Sequence, residues 1–225
     1  LLLIGASRGL GLAIAEQYLQ RRWHVIGTVR GPNRTKLHDL RERYSDRLEI
    51  ETVDINVPDD VAALGKRLQG RPLDFLFVNS GVKNDDRETI ADVSTDEFVR
   101  VMVTNALGPL RAIETLHDLV TADGTIAVMS SGQGSVTNNE RGGYEVYRAS
   151  KAALNTLMRS YAARHAADHR TLLLLAPGWV RTDMGGPNAG LSIDESIPNL
   201  VNTIEAQRGK PGLHYLDYLG RTVPW

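Results

Sequence analysis

The chain has 225 residues, 26 basic against 27 acidic, a net charge of −1 and no cysteine. That balance supplies no basic stripe for a polyanion, so nucleic acid is not an expected partner, and without thiols there is no disulfide, thiolate metal site or cysteine nucleophile. The longest apolar runs, LLLI (1–4) and LLLLAP (172–177), fall far short of the roughly 20 residues that a membrane-crossing helix needs, so no membrane partner is expected and the cytoplasm is the default compartment.

Apolar and β-branched runs predict strands at 1–5, 24–29, 48–53, 73–78, 124–130, 171–176 and 213–217. Between them, amphipathic stretches predict helices at 9–21, 34–43, 58–69, 95–119, 144–167 and 193–207. Alternation of this kind predicts an α/β fold with a parallel sheet covered by helices on both faces. Right-handed crossovers then give a doubly wound, Rossmann-type sheet of about seven strands. Nothing resembles a linker, a repeat or a low-complexity tract, so residues 1–225 read as one Rossmann-type domain. Polar, glycine-rich stretches at 79–94, 131–143 and 184–192 each follow a strand, at the sheet edge where open α/β folds bind ligands.

The first strand runs into GASRGLG, with Gly5, Ser7, Arg8, Gly9, Leu10 and Gly11 at the start of a helix. Gly5 allows a tight turn, Gly9 a close approach of backbone to phosphate, and Gly11 close packing of helix on strand. A dinucleotide pyrophosphate would rest on that helix N-terminus. The second strand ends in VIGTVRG, with Arg30 where a carboxylate would meet a free ribose diol. Arg8 and Arg30 together are suited to a 2′-phosphate, so NADP(H) is preferred, with NAD(H) the alternative.

Tyr147 and Lys151 are spaced i,i+4 in YRASK, which puts them on one face of a helix. An ammonium beside a phenol favours the phenolate and lowers its pKa from about 10. Tyr144 is the rival tyrosine, but its i+4 neighbour is Arg148. Ser131, at the end of an apolar strand, is placed to face a substrate, with Ser130 as its rival one position away.

Together these residues resemble the short-chain dehydrogenase/reductase family, and nearly the whole chain fits. GASRGLG looks like its cofactor turn. VDI (53–55) looks like the segment whose aspartate, here Asp54 beside Ile55, contacts adenine. VNSG (78–81), with Asn79, Ser80 and Gly81, stands where the family usually has NNAG. VTNALG (103–108) carries the helix asparagine, Asn105, and MSSG (129–132) the serine, Ser131. Tyr147 and Lys151 are the YxxxK pair, and PGWVRT (177–182) the PGxxxT motif. GGYEVYRASKAALN, PGWVRTDMGGPNA and the closing LGRTVPW resemble the branch that holds sniffer, C-factor and the carbonyl reductases.

The resemblance implies that Tyr147 donates a proton to a carbonyl oxygen as hydride arrives from the nicotinamide. Lys151 would lower the tyrosine pKa and hold the nicotinamide ribose, and Ser131 would polarise the carbonyl. Asn105 would hold a water leading from Lys151 to solvent, while Pro177, Gly178, Val180 and Thr182 would position the nicotinamide. The substrate implied is a small or medium lipophilic carbonyl or alcohol. A signalling or regulatory protein that binds NADP(H) with vestigial catalysis is the alternative. The family also implies a homodimer or homotetramer through the helices at 95–119 and 144–167, although this branch includes monomers. Ser131 precedes Tyr147 by 16 positions, a longer interval than is usual in the family.

His165 and His169 are spaced like two ligands on one helical face, but a zincin's glutamate and third ligand are missing. No metal is expected. Asp59 and Asp60 read as first-turn residues of a helix after Pro58. Asp85 and Asp86 read as solvent-facing loop residues. The segment 184–196 is expected to lie over the site as a short lid.

Overall fold

All seven apolar runs become strands of one sheet in the computed structural model, which describes residues 1–225. They are β1 (Leu2–Ile4), β2 (Val25–Val29), β3 (Leu48–Thr52), β4 (Leu73–Val78), β5 (Val120–Met129), β6 (Thr171–Ala176) and β7 (Gly212–Asp217). The order is β3-β2-β1-β4-β5-β6-β7 and every pairing is parallel. The strand order turns back between β1 and β4, which opens the crevice at their carboxyl ends.

The helices are α1 (Gly9–Gln20), α2 (Lys36–Arg43), α3 (Pro58–Arg67), α4 (Thr95–Met102), α5 (Gly108–Leu116), α6 (Glu145–Arg164) and α7 (Ile193–Gln207). Strand side chains alternate between two cores, as the two-residue period requires. Leu2, Ile4, Leu76, Val78, Ile126, Val128, Leu172 and Leu174 join a cluster of 27 buried residues with α3, α5 and α6. Leu1, Leu3, Phe75, Phe77, Ala127, Leu173 and Leu175 join a cluster of 22 with α1, α2 and α7. Strands buried on both faces explain why they read as unbroken apolar runs. No helix is long and apolar enough to cross a membrane.

Two departures from the sequence reading have local causes. The helix expected over 95–119 is interrupted by a π-helical turn, Val103–Leu107. Pro109 has no N–H for the carbonyl of residue 105 and its ring crowds that carbonyl, so the i→i+4 ladder cannot run through. The turn leaves Asn105 at its centre, consistent with the frequent placement of π-turns at functional positions. Strand β5 starts at Val120 rather than 124 because Val120 pairs with Leu73 before an irregularity at Leu73/Phe75. The polar stretch TADG hides that early start in the sequence.

Candidate active site

The glycine turn is as tight as its spacing suggests. Gly5 has φ +88, and a Cβ there would lie 2.9 Å from Ser80 Oγ. A Cβ on Gly11 would fall 2.0 Å from the Gly5 carbonyl oxygen, so α1 can lie against the turn only without a side chain at that position. Asn79 Nδ2 donates to the same carbonyl at 3.0 Å, clamping the end of β4 to the turn. The start of α1 has no side-chain cap and no acidic residue in its first turn. Helices α4 and α7 differ, being capped by Ser94 and Ser192. The first-turn N–H groups of α1 therefore lack a side-chain partner, and the positive end of the helix faces the crevice uncompensated.

Ser7, Arg8 and Gly9 line a cleft of about 1030 Å³, faced from the other side by Arg181, Thr182 and Asp183. Arg8 reaches across to Asp183 in a 2.6 Å ion pair, both side chains being exposed. Leu10 instead packs against the core beneath α1. Arg30 is exposed at the end of β2 and stands outside the cleft lining. The cations that line that end are Arg34 and Lys36, which the sequence reading missed. The run RGPNRTK directly after β2 carries the signal for them. Arg34 is aimed by Asp39 and Glu42, each 2.6 Å away.

Asp54 is half-buried, its Oδ1 accepting from Asn56 N at 2.9 Å. The Ile55 side chain turns inward, below Gly108 of α5, so only its backbone is left to face the crevice. Gly81 separates two groups of interest: a Cβ there would lie 3.5 Å from both Asn105 Oδ1 and Lys151 Nζ. Asn105 is fully buried. Its Nδ2 donates to Val82 O (2.7 Å) and Ser150 Oγ (2.9 Å), and its Oδ1 accepts from Val82 N (2.8 Å). The π-turn thus ties the loop after β4 to the start of α6.

Ser131, Tyr147 and Lys151 come together at the end of β5, two strand spacings or about 10 Å from β1. The rival residues have different surroundings. Ser130 is buried with its hydroxyl on Asn155 Oδ1 at 2.6 Å, whereas Ser131 faces the crevice beside the Tyr147 phenol. Tyr144 is exposed, outside the helix, in a left-handed conformation (φ 53) that follows two more positive-φ residues, Gly142 and Gly143. The long interval between Ser131 and Tyr147 is taken up by an exposed excursion over 136–143 and leaves the pair adjacent.

The electrostatics correct one expectation. The net shift of the Tyr147 phenol is upward, opposite to the depression expected from Lys151. Desolvation dominates and pushes the phenol up to about 12, while the neighbouring Ser131 hydroxyl acts in the opposite sense. Lys151, buried at 3 % exposure, is itself pulled down to about 8 by desolvation. Its Nζ donates to Met129 O at 2.9 Å and lies 5.8 Å from the centre of the Tyr147 ring. Two of its three donors have no protein partner.

The segment after β6 closes the site. Gly178 (φ +84) leaves room for Leu191, whose Cδ1 would lie 2.5 Å from a Cβ at 178. Val180 pairs with Leu191, and Ser196 Oγ donates to Pro177 O at 2.6 Å, so 178–192 is a loop pinned at both ends. Thr182 Oγ1 accepts from Gly185 N at 3.1 Å. The Trp179 ring is 57 % exposed, its Nε1 donating to Gly185 O. Met184 is exposed beside it.

The chain is similar to proteins of known structure along its whole length. A Burkholderia multivorans protein described as a short-chain dehydrogenase/reductase, solved with bound NADP, superposes with a TM-score of 0.98 at 58% identity, covering 100% of this chain and 98% of that one. A carbonyl reductase from Pseudomonas aeruginosa in complex with NADP gives 0.92 at 38% identity, with 100% and 98% coverage. C-signal of Myxococcus xanthus is 35% identical over 156 residues, 68% of this chain and 93% of C-signal. The family profile described as short chain dehydrogenase matches residues 1–190. With that match over most of its length, this chain belongs to the short-chain dehydrogenase family.

Proposed function

We propose that this protein is an NADP(H)-dependent reductase of small or medium lipophilic carbonyls, with Tyr147 as the proton donor. The observation that carries the reading is the convergence of Ser131, Tyr147 and buried Lys151 at the mouth of the crevice. The residues present fit a dinucleotide. The α1 N-terminus is uncapped, Gly9 has only Thr182 Cγ2 near its absent Cβ at 4.0 Å, and Arg8, Arg34 and Lys36 line the far end. The bound NADP of the Burkholderia and Pseudomonas proteins supports the same cofactor here.

A bound nicotinamide would supply a hydride to the carbonyl carbon. Every other task falls to the chain. The α1 N–H groups and Arg8 hold phosphate, and Arg34 and Lys36 provide the positive charge that a 2′-phosphate requires. Ser131 offers its hydroxyl to the carbonyl oxygen, so negative charge develops against a donor already in place. Tyr147, held protonated by burial, gives its proton to that oxygen. Lys151 uses its two free donors on hydroxyls in the crevice and, as a cation, stabilises the phenolate left behind. The gap at Gly81, flanked by Asn105 Oδ1 and Lys151 Nζ, suits a water through which the proton is replaced. Exposed Trp179 and Met184 at the mouth favour an apolar substrate.

The similarity to C-signal favours a second reading, a signalling protein that binds NADP(H) without turnover. The retained proton donor argues for the first. Incubation with NADPH and a panel of ketones, aldehydes and quinones separates them. The reductase reading expects turnover that Tyr147→Phe lowers by roughly 10²-fold or more while NADPH binding persists. NADPH binding with no turnover on any carbonyl would favour the second. Exposed Val99, Leu107 and Leu157 on α4 to α6 support self-association through these helices, which sedimentation would measure.

A further inference from the structure

The two histidines that share a spacing in HAADH do not share a site. Helix α6 ends at Arg164, and His169 falls beyond it. His165 is met instead by Glu114 of α5 and His117 of the turn that follows α5. One donor atom from each of the three lies within 4.8 Å of the other two. The His117 and His165 rings stand edge to face, with centroids 5.2 Å apart. Tyr161, wholly buried, stacks on His165 at 4.3 Å and lies 6.0 Å from His117.

Two buried polar atoms in this group have no partner, His117 Nδ1 and Tyr161 Oη. Buried polar atoms are rarely left unpaired, because each then carries its desolvation penalty without compensation. The carboxylate of exposed Asp118 is 3.1 Å from His117 Nε2, so Nδ1 is the nitrogen of that ring left without a neighbour.

We propose that Glu114, His117 and His165 form a binding site for a divalent transition-metal ion of the Zn²⁺ class, with water as the fourth ligand. Two imidazoles and one carboxylate are a borderline donor set that suits Zn²⁺, Ni²⁺ or Cu²⁺ and is poor for Ca²⁺ or Mg²⁺. Ligand bonds of about 2.0–2.1 Å place tetrahedral donors roughly 3.4 Å apart. Small rotations of three side chains at helix ends bring donors now within 4.8 Å to that spacing. Glu114 is at present paired with Arg164, and an ion would take over the role of that guanidinium.

The site is remote from the chemistry. His165 lies 14 residues after Lys151 on the axis of α6, about 21 Å at 1.5 Å per residue. An ion there ties the end of α5 to the end of α6, so it acts on stability and leaves turnover alone. The proposal is independent of the reductase reading.

Chelator-treated full-length chain titrated with ZnCl₂ in a calorimeter tests it, with Co²⁺ as a spectroscopic probe. Saturable binding of one Zn²⁺ per chain is expected, with a melting temperature that rises with free Zn²⁺ and a Co²⁺ visible spectrum of the four-coordinate kind. Glu114→Gln and His165→Ala, each checked by circular dichroism, should weaken Zn²⁺ binding at least ~10-fold. His169→Ala should leave it unchanged, and Arg164→Gln, which removes the competing cation, should tighten it. Absence of saturable one-to-one binding, or undiminished affinity in folded His165→Ala, overturns the proposal. An effect of His169→Ala equal to that of His165→Ala overturns it as well.

Discussion

Tyr215 of β7 donates its hydroxyl hydrogen bond to the backbone carbonyl of Ser131, 84 positions earlier in the chain. The last strand therefore braces the strand end that presents the serine. The chain terminus reinforces this brace: Trp225 packs on Tyr215 at 5.4 Å between centroids, and its carbonyl accepts from Thr137 N at 2.9 Å. Tyr215→Phe keeps the packing and deletes the bond. It should cost about 1 kcal/mol of stability, measured by urea unfolding. It should also lower kcat several-fold with little change in the NADPH binding constant, because the serine and not the cofactor groove loses its support.

Lys151 makes a pH prediction with a definite sign. Its folded pKa of about 8 lies below the ordinary value of 10.5 because burial disfavours the charged form. Between these values the unfolded chain binds a proton that the folded chain does not, so this group makes stability rise with pH across the window. Below about 8 the penalty is present in full, roughly 3 kcal/mol. Tyr147, held at about 12 against 10.0, acts the other way, but only above pH 10. In a series of thermal melts from pH 7 to 10, wild type should gain on Lys151→Met as pH rises. A constant gap between the two would contradict the assignment.

The same value bears on catalysis. If Lys151 works as a cation, kcat/KM for carbonyl reduction should fall as pH rises through about 8, since that profile reports the free enzyme. An initial-rate profile at low substrate checks it.

Cofactor choice should follow Arg34 more than Arg30. Arg34 lines the cleft and is aimed by two carboxylates, while Arg30 stands outside it. Arg34→Ala should raise the NADPH dissociation constant about 10-fold or more, as expected for loss of a charge-assisted hydrogen bond, and leave NADH nearly unaffected. Asp183→Asn frees Arg8 from its 2.6 Å ion pair and should tighten NADPH binding modestly, the pair being exposed. Fluorescence titration with both reduced cofactors distinguishes these effects.

Gly11→Ala tests the turn. Its Cβ would meet the Gly5 carbonyl oxygen at 2.0 Å, and backbone rather than a flexible side chain has to move. A stability loss of about 1–3 kcal/mol is expected, together with weakened dinucleotide binding. Gly31, with nothing within 4 Å of its would-be Cβ, is the control position.

Most strands and helices were legible because β1, β4 and β6 are buried on both faces and the amphipathic runs between them keep a helical period. Asn105, Tyr147 and Lys151 could be named from spacing and resemblance. The π-turn around Asn105 could not, because a helical pattern continues through it and only Pro109 hints at the break. Arg34 and Lys36 were passed over because a loop residue's reach depends on how the loop is folded. The cluster of Glu114, His117 and His165 was hidden because its members gather at the ends of α5 and α6, which β5 separates in the chain.

The order of amino acids alone determined the sheet and the glycine turn and nominated Tyr147 and Lys151 as candidates, since each rests on a local period or a spacing of a few residues. Tertiary structure decided which serine faces the crevice, which arginine lines it, and the protonation of the tyrosine–lysine pair. Those depend on burial and on distances between residues far apart in sequence. Desolvation of Tyr147 and Lys151 is a property of the protein packed around them, and it outweighs the charge that their spacing brings together.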